Sequence, residues 1–313
     1  MRTTPGIRFP SRIPSPSPRP SAPANRYVVG MPASASAGPA GLQRVALPLA
    51  ALALLLTSAC TSPSNASDGP AAAPPLPAPD DGDDGSSDDV TDGPLSDRVV
   101  VIDPGHNGGN ANAPDEINAM VPAGPGEKAC DTVGSQTVDG DAEHEFNWEL
   151  SLLVQDRLEA DGATVVLTRG DDEGVGPCID DRARIGNAAG ADAAVSIHAD
   201  GGPETGRGFH VITPGDVPGF TDDIVEPSRL LAEDLRREYR EGTDVPYADY
   251  LADEGLDERT DLGGLNMSDV PKVFLEAGNL RNPEDAALLT DPAWRERAAD
   301  AIARGVAVYL LRS

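Results

Sequence analysis

The stretch VVVIDPGHNGG, residues 99–109, runs apolar at every position, breaks at Asp103-Pro104-Gly105, and then places His106 ahead of two glycines. Pro and Gly are ordinary strand terminators, so Val99–Asp103 reads as a buried strand that hands His106 to a loop. A strand apolar at successive rather than alternate positions fits a sheet covered on both faces, the usual condition of parallel sheets.

The chain beyond it alternates in the same way. Asn147–Asp161 carries Leu150, Leu153, Val154 and Leu158 at helical spacing, and Gly162 ends it. TVVLTR reads as the next strand, DDRARIGNAAG as a short helix, and AAVSIHAD and GFHVIT as strands. Glu226–Arg240 reads as a helix, VPKVFLEAG as a strand, and Pro292–Leu311 as a closing helix with Ile302, Val306 and Leu310 on one face. The order implies an α/β fold, a mostly parallel central sheet with helices on both faces. No internal repeat is visible.

This pattern begins only near Arg98. Residues 1–44 are rich in Pro, Ser, Ala and Arg, and Val45–Cys60 (VALPLAALALLLTSAC) is an uncharged apolar run after Arg44. A basic flank, an apolar stretch shorter than a membrane span and small residues at its end match an export signal. LTSAC resembles a bacterial lipobox, with Thr57 where Leu is usual, so Cys60 is the expected lipidation site. The segment ahead of the apolar run is long for a signal, and Met31 offers an alternative start. Residues 61–97, with their run DDGDDGSSDDVTDG, are too polar and like-charged to bury a core and read as an acidic tether. Residues 98–313 then form one catalytic-sized domain of about 215 residues. The expected location is the cell envelope, lipid-anchored to the outer face of the cytoplasmic membrane, with secretion as the alternative.

The formal net charge of −28 argues against nucleic acid as a partner and against charge-driven adhesion to an anionic surface. Only Lys128 and Lys272 are lysines. With Cys60 assigned to lipid, Cys130 and Cys178 remain in an exported chain, and a disulfide between them is expected.

Ligands of such sheets bind beyond the carboxyl ends of the strands. Three apolar strands end there in side chains able to hold metal or protons: VVVIDPGH in His106, AAVSIHAD in His198 and KVFLEAG in Glu276. His with carboxylate suits Zn²⁺, whose catalytic sites use three protein ligands and leave a position open. The acidic cluster DAEHEFNWE offers Glu143, Glu145 and Glu149 as a third ligand, and spacing alone does not choose among them. His144 and His210 read as non-ligands. Asp103 and Asp200 flank the histidine ligands, either to orient the imidazoles or to cap turns.

The blocks VVVIDPGHNGG, EHEFNWELSLLVQDRLEADGATVVLTR, DDRARIGNAAGADAAVSIHAD and VPKVFLEAGNLRN resemble, in order and spacing, the zinc-dependent N-acetylmuramoyl-L-alanine amidases of bacteria, and among them the single-domain actinobacterial type. The resemblance runs from about Arg98 to the C-terminus. It implies a Zn²⁺ cofactor held by His106, Glu143 and His198, with Glu276 as the catalytic glutamate, and hydrolysis of the amide between N-acetylmuramic acid and L-alanine. The inserted segment of that type, with its paired cysteines, is mirrored by residues 110–140 with Cys130 and by Cys178 in GPCID. Because this insertion leaves His106 and returns at Glu143, it is expected to border and narrow the metal cleft. Many members carry an aromatic residue where this chain has Asn279. Peptidoglycan or its fragments are the implied partner, and a monomer is expected. The rival readings are a zinc peptidase acting within the stem peptide and a non-catalytic wall-binding lipoprotein.

Overall fold

The computed structural model describes residues 93–312. The leader, Cys60 and the tether as far as residue 92 lie outside them. The strands are β1 (Val99–Pro104), β2 (Met120–Pro122), β3 (Glu127–Ala129), β4 (Thr164–Leu167), β5 (Ala193–Asp200), β6 (His210–Pro214), β7 (Leu256–Arg259) and β8 (Lys272–Asn279). The helices are α1 (Pro114–Ile117), α2 (Glu143–Ala160), α3 (Ile179–Ala189), α4 (Val225–Thr243), α5 (Gly263–Asn266), α6 (Pro283–Leu289) and α7 (Pro292–Arg312). Six strands form one sheet in the order β4-β1-β5-β8-β6-β7, and β2 pairs with β3 as a separate hairpin.

The strands β4, β1, β5 and β8 are parallel. β6 runs antiparallel to β8, and β7 follows β6 in parallel. The sheet is therefore mostly parallel, with a reversed pair at one edge. Alternate residues of its strands point to opposite faces. Val100 and Ile102 of β1, Val195 and Ile197 of β5, Val211 of β6, and Val273 and Leu275 of β8 pack into a large core. Leu150, Val154 and Leu158 of α2, Leu231 and Leu235 of α4, and Trp294, Ile302 and Val306 of α7 cover them. The other face carries a small apolar patch of Val101, Ala191, Ala194 and Val270, and above it a row of polar side chains. That asymmetry positions the site.

The short elements β2, β3, α1, α5 and α6 are absent from the sequence reading, and two further elements depart from it. β7 (LDER) is missing from the sequence reading because an edge strand rich in charge carries no apolar run. α2 begins at Glu143, one turn before Asn147, with the acidic residues Glu143 and Glu145 in its first turn. Carboxylates there complement the positive end of the helix dipole.

Candidate metal centre

β1 ends at Pro104, and Gly105 turns the chain beside the ring of His198. A Cβ at Gly105 would lie 2.2 Å from Cε1 of that ring, so only glycine lets the two histidine-bearing strands close up here. The next residue, His106, has φ of +59°, a conformation uncommon for a side chain with Cβ. The strained backbone is held by Arg182 of α3, whose Nη2 donates to the His106 carbonyl at 2.9 Å and whose Nη1 donates to the Pro104 carbonyl at 2.7 Å. His106 is thereby held at the end of the strand, as its place between Pro-Gly and Gly-Gly suggested.

His198 lies near the end of β5, paired in register with Glu276 of β8, and its ring stacks on Phe274 at 5.2 Å between centroids. Glu143 rises from the first turn of α2 between the two imidazoles. Its Oε1 is 3.3 Å from His106 Nε2 and 3.0 Å from His198 Nδ1, and its Oε2 accepts from the Ser135 amide at 2.6 Å. Donor atoms of His106, Glu143 and His198 all lie within 4.8 Å of one another. The structure thus brings together the three residues expected as ligands, and of the acidic candidates in DAEHEFNWE it is Glu143 that joins the histidines.

The donor set fits a cation. A buried carboxylate wedged between two imidazoles must be balanced by positive charge. Burial works against a charged ring at His106, yet Glu143 and Asp131 outweigh it and raise its pKa to about 10. At Glu143 burial favours the neutral acid, but the two imidazoles hold the carboxyl well below its ordinary range. Protons or a metal ion can supply that balance. Two nitrogens and one carboxylate oxygen form a donor set of the kind that suits zinc.

Glu276 faces the same cleft, which is lined by His106, Glu143, His198, Asp200, Arg259 and Glu276 among others. Its Oε2 is buried and has no hydrogen-bond partner within the protein. Burial, and then the negative charges of Glu143 and Asp200, push its pKa well above the usual carboxylate value. An apolar chamber of about 280 Å³ adjoins the cleft, sharing His106, Thr132, His198, Leu262 and Phe274 with it.

The insertion borders both spaces. Lys128, Ala129 and Asp131 line the chamber, Gly134 and Ser135 line the cleft, and Thr132 lines both. The expected disulfide joins Cys130 to Cys178, tying the insertion to the start of α3. His144 pairs with Asp172 at 2.8 Å, away from the ligand cluster. His210 sits buried in β6 opposite Glu276, where burial lowers its pKa. Neither joins the cluster.

Asp103 and Asp200, for which orienting the imidazoles and capping turns were both left open, make their side-chain contacts to other groups. Asp103 is buried beneath the site and accepts from Arg182 and Lys272 at 2.9 Å each, from Thr168 at 2.6 Å, and from Ser196. Asp200 accepts from the Tyr250 hydroxyl at 2.9 Å. On the far side of the His106 ring from Glu143 it is Asp131 that meets the imidazole, 3.1 Å from Nδ1. Sequence reasoning missed it because it lies in the insertion, where only its neighbour Cys130 drew notice. Asn279 is buried and donates through Nδ2 to the carbonyls of Pro203 and Gly206 at 2.8 Å each. It fastens the loop after β5.

The fold and site together define an α/β domain with a histidine–glutamate–histidine cluster at the carboxyl edge of a mostly parallel sheet, in an arrangement suited to metal-assisted hydrolysis. The chain belongs to the N-acetylmuramoyl-L-alanine amidase family, whose sequence model matches residues 100–308. It is 41% identical over 226 residues to the N-acetylmuramoyl-L-alanine amidase Rv3717 of Mycobacterium tuberculosis, covering 72% of this chain and 91% of that protein. It is similar to the crystal structure of the N-acetylmuramyl-L-alanine amidase Ami1 from Mycobacterium smegmatis, with a TM-score of 0.66 and 40% identity, over 70% of this chain and 99% of that one. The amidase AmiC2 of Nostoc punctiforme is more distant, with a TM-score of 0.52 and 26% identity, over 68% of this chain and 97% of that one.

Proposed function

We propose that this chain is a zinc-dependent peptidoglycan hydrolase that cleaves the amide between N-acetylmuramic acid and L-alanine. Family membership supports the activity, and one observation carries the mechanism: a buried, unpartnered carboxylate oxygen of Glu276 in the cleft lined by His106, Glu143 and His198. These three side chains would hold the ion. Zinc in such a site supplies Lewis acidity, bringing the pKa of a water toward neutrality and polarising the scissile carbonyl.

The protein's own groups do the rest. The imidazoles and Glu143 would hold the ion, and Ser135 and Asn147 hold the Glu143 carboxylate in place. Glu276 takes the proton of the attacking water. Burial and the negative charges of Glu143 and Asp200 raise its proton affinity, which suits a group that must accept a proton from water. Glu276 then passes the proton to the departing L-alanine nitrogen, because an amide nitrogen leaves poorly unprotonated. The insertion walls one side of the cleft and so favours slender peptidoglycan strands or fragments.

In this reading residues 1–60 are an export and lipidation signal, and the segment after Cys60 is a tether that ends sooner than the 61–97 read from composition, because Leu95 is buried in the core of the domain that follows; that catalytic domain is a monomer held at the outer face of the membrane through Cys60. No described helix is long and apolar enough to cross a membrane.

Mass spectrometry of muropeptides after digestion is the deciding measurement. The expected product is free stem peptide beginning at L-alanine. Cuts within the stem would point to a peptidase, and unchanged muropeptides to a binding protein. In the same assay Glu276→Gln should keep its zinc but lose about 10²–10⁴ in rate, whereas Glu143→Ala should lose zinc and activity together. The reverse pattern would overturn the two assignments.

A further inference from the structure

We propose that Asp131 is a positioning residue for His106, and that the Cys130–Cys178 disulfide acts on metal affinity through it. The inference rests on the metal reading above.

The nitrogen of His106 that faces Glu143 is Nε2, at 3.3 Å. The opposite nitrogen, Nδ1, lies 3.1 Å from Asp131 Oδ1 and 3.2 Å from the Thr132 carbonyl oxygen. Both are acceptors, and the third neighbour, the Thr132 hydroxyl at 3.2 Å, can accept as well, so Nδ1 keeps a proton and donates, and Nε2 is the nitrogen left to offer its lone pair when an ion binds. An acceptor behind a ligand imidazole fixes its tautomer and its angle and raises its basicity. His106 needs that support more than most ligands, because its backbone sits at φ of +59° on the end of a strand.

The other oxygen of Asp131 accepts from Arg182 Nη2 at 3.1 Å, and the same Nη2 lies 2.9 Å from the His106 carbonyl oxygen. The contacts close a ring: imidazole, Asp131, guanidinium, and back to the backbone of the same histidine. Asp131 is 7% exposed, so water competes little for these bonds.

What places Asp131 is its neighbour. Asp131 belongs to no helix or strand, but Cys130 is bonded covalently to Cys178, the residue before α3. The Ile179 amide donates to the Cys130 carbonyl at 2.8 Å, and the Arg182 amide donates to the Cys178 carbonyl at 2.9 Å. Arg182 thus stands one helical turn from the bridge. The disulfide fixes the segment bearing Asp131 to the helix end bearing its cationic partner. A bridge that served stability alone could have tied the insertion down anywhere along its length.

The test titrates Zn²⁺ into the metal-free full chain against a competing chromophoric chelator, at a temperature where circular dichroism shows each variant folded. Asp131→Asn should weaken zinc binding about 10- to 100-fold. Cys130→Ser combined with Cys178→Ser should weaken it about tenfold. The triple variant should be no weaker than Asp131→Asn alone, because both changes act on the same contact. Asp131→Glu, which keeps a charge for Arg182 but moves the oxygen relative to Nδ1, should fall between wild type and Asp131→Asn and serves if Asn does not fold. A bridge that only stabilises the fold would lower the melting temperature and leave the zinc affinity of folded protein unchanged. Wild-type affinity in the Asp131 variants would overturn the positioning role. Multiplying effects in the triple variant would overturn the link to the disulfide. A wild-type chain that fails to bind zinc would overturn this inference together with the metal reading.

Discussion

Lys272 is the residue whose removal tests most sharply how the floor of the site is held. It is 1% exposed, on a strand of apolar neighbours, and its Nζ meets Asp103 Oδ2 at 2.9 Å. Asp103 has three further side-chain donors in Arg182, Thr168 and Ser196. Breaking a buried ion pair by deleting one partner costs about 3–5 kcal/mol when the other charge is stranded. In Lys272→Met the Asp103 carboxylate keeps the guanidinium and two hydroxyls, and Met keeps most of the apolar stem. The expected loss is therefore about 2–3 kcal/mol, nearer the value of one charge-assisted hydrogen bond. For a domain of this size that lowers Tm by roughly 5–10 °C.

The pH dependence carries the signature. Burial alone would raise the pKa of Asp103, but Lys272 and Arg182 hold it well below the ordinary carboxylate value. A depressed folded-state pKa gives stability that is complete above the unfolded value and is lost as pH falls toward the folded one. The variant, with Asp103 closer to its ordinary pKa, stops losing this contribution sooner. The gap between wild type and Lys272→Met should thus be full at pH 7 and should shrink only in acid, as the pH falls through the folded-state pKa of Asp103 in the variant toward the lower wild-type one. Urea unfolding of both proteins from pH 7 to pH 3 measures it. A loss under about 1 kcal/mol at pH 7, or a gap that widens as pH falls, would refute the assignment of Lys272 as the main counter-charge.

Three other outcomes are expected. Replacing Cys130 and Cys178 with Ser opens a bridge spanning 48 residues, and loop entropy sets the loss at about 4 kcal/mol by chemical denaturation; a loss below about 1 kcal/mol would show that the insertion is held by its other contacts. Gly105→Ala drives a methyl against the His198 ring, so zinc content measured by atomic absorption should fall with activity, whereas wild-type zinc would show that the strands can part. Cys60→Ser should shift the protein from the membrane fraction to the medium, and a wild-type protein already in the medium would remove the anchor.

The sequence displayed the parts of this molecule governed by periodicity and by strand ends. β1, β5 and β8 were legible because each is an apolar run cut off by turn residues or by a polar tip, and their parallel pairing set His106, His198 and Glu276 at one edge. Glu143 was not separable from Glu145 and Glu149 by spacing, since all three sit on a helix whose start was uncertain by one turn; the family resemblance chose it. The ionic floor was hidden for a different reason. Asp103, Lys272 and Arg182 lie on β1, β8 and α3, and nothing local announces that three distant charges share one buried space. A lysine inside VPKVFLEAG was the available signal, because a charge within an apolar strand needs a partner. Asp131 escaped because an irregular insertion has no period from which to read a facing direction.

The uneven covering of the sheet has a consequence for how this protein can change. Apolar packing against α2, α4 and α7 occupies one side of each central strand, while the alternate residues of β5 and β8 supply Ser196, His198, Lys272 and Glu276. Successive codons of the same strand therefore answer to different demands, one to cohesion and the next to chemistry. A point change on the covered side will injure folding, whereas one at His198 or Glu276 on the other side will injure chemistry first. A one-residue insertion within β5 or β8 would exchange the two sets, putting valines in the cleft and a histidine or glutamate in the core, so in these strands length is guarded more strictly than identity.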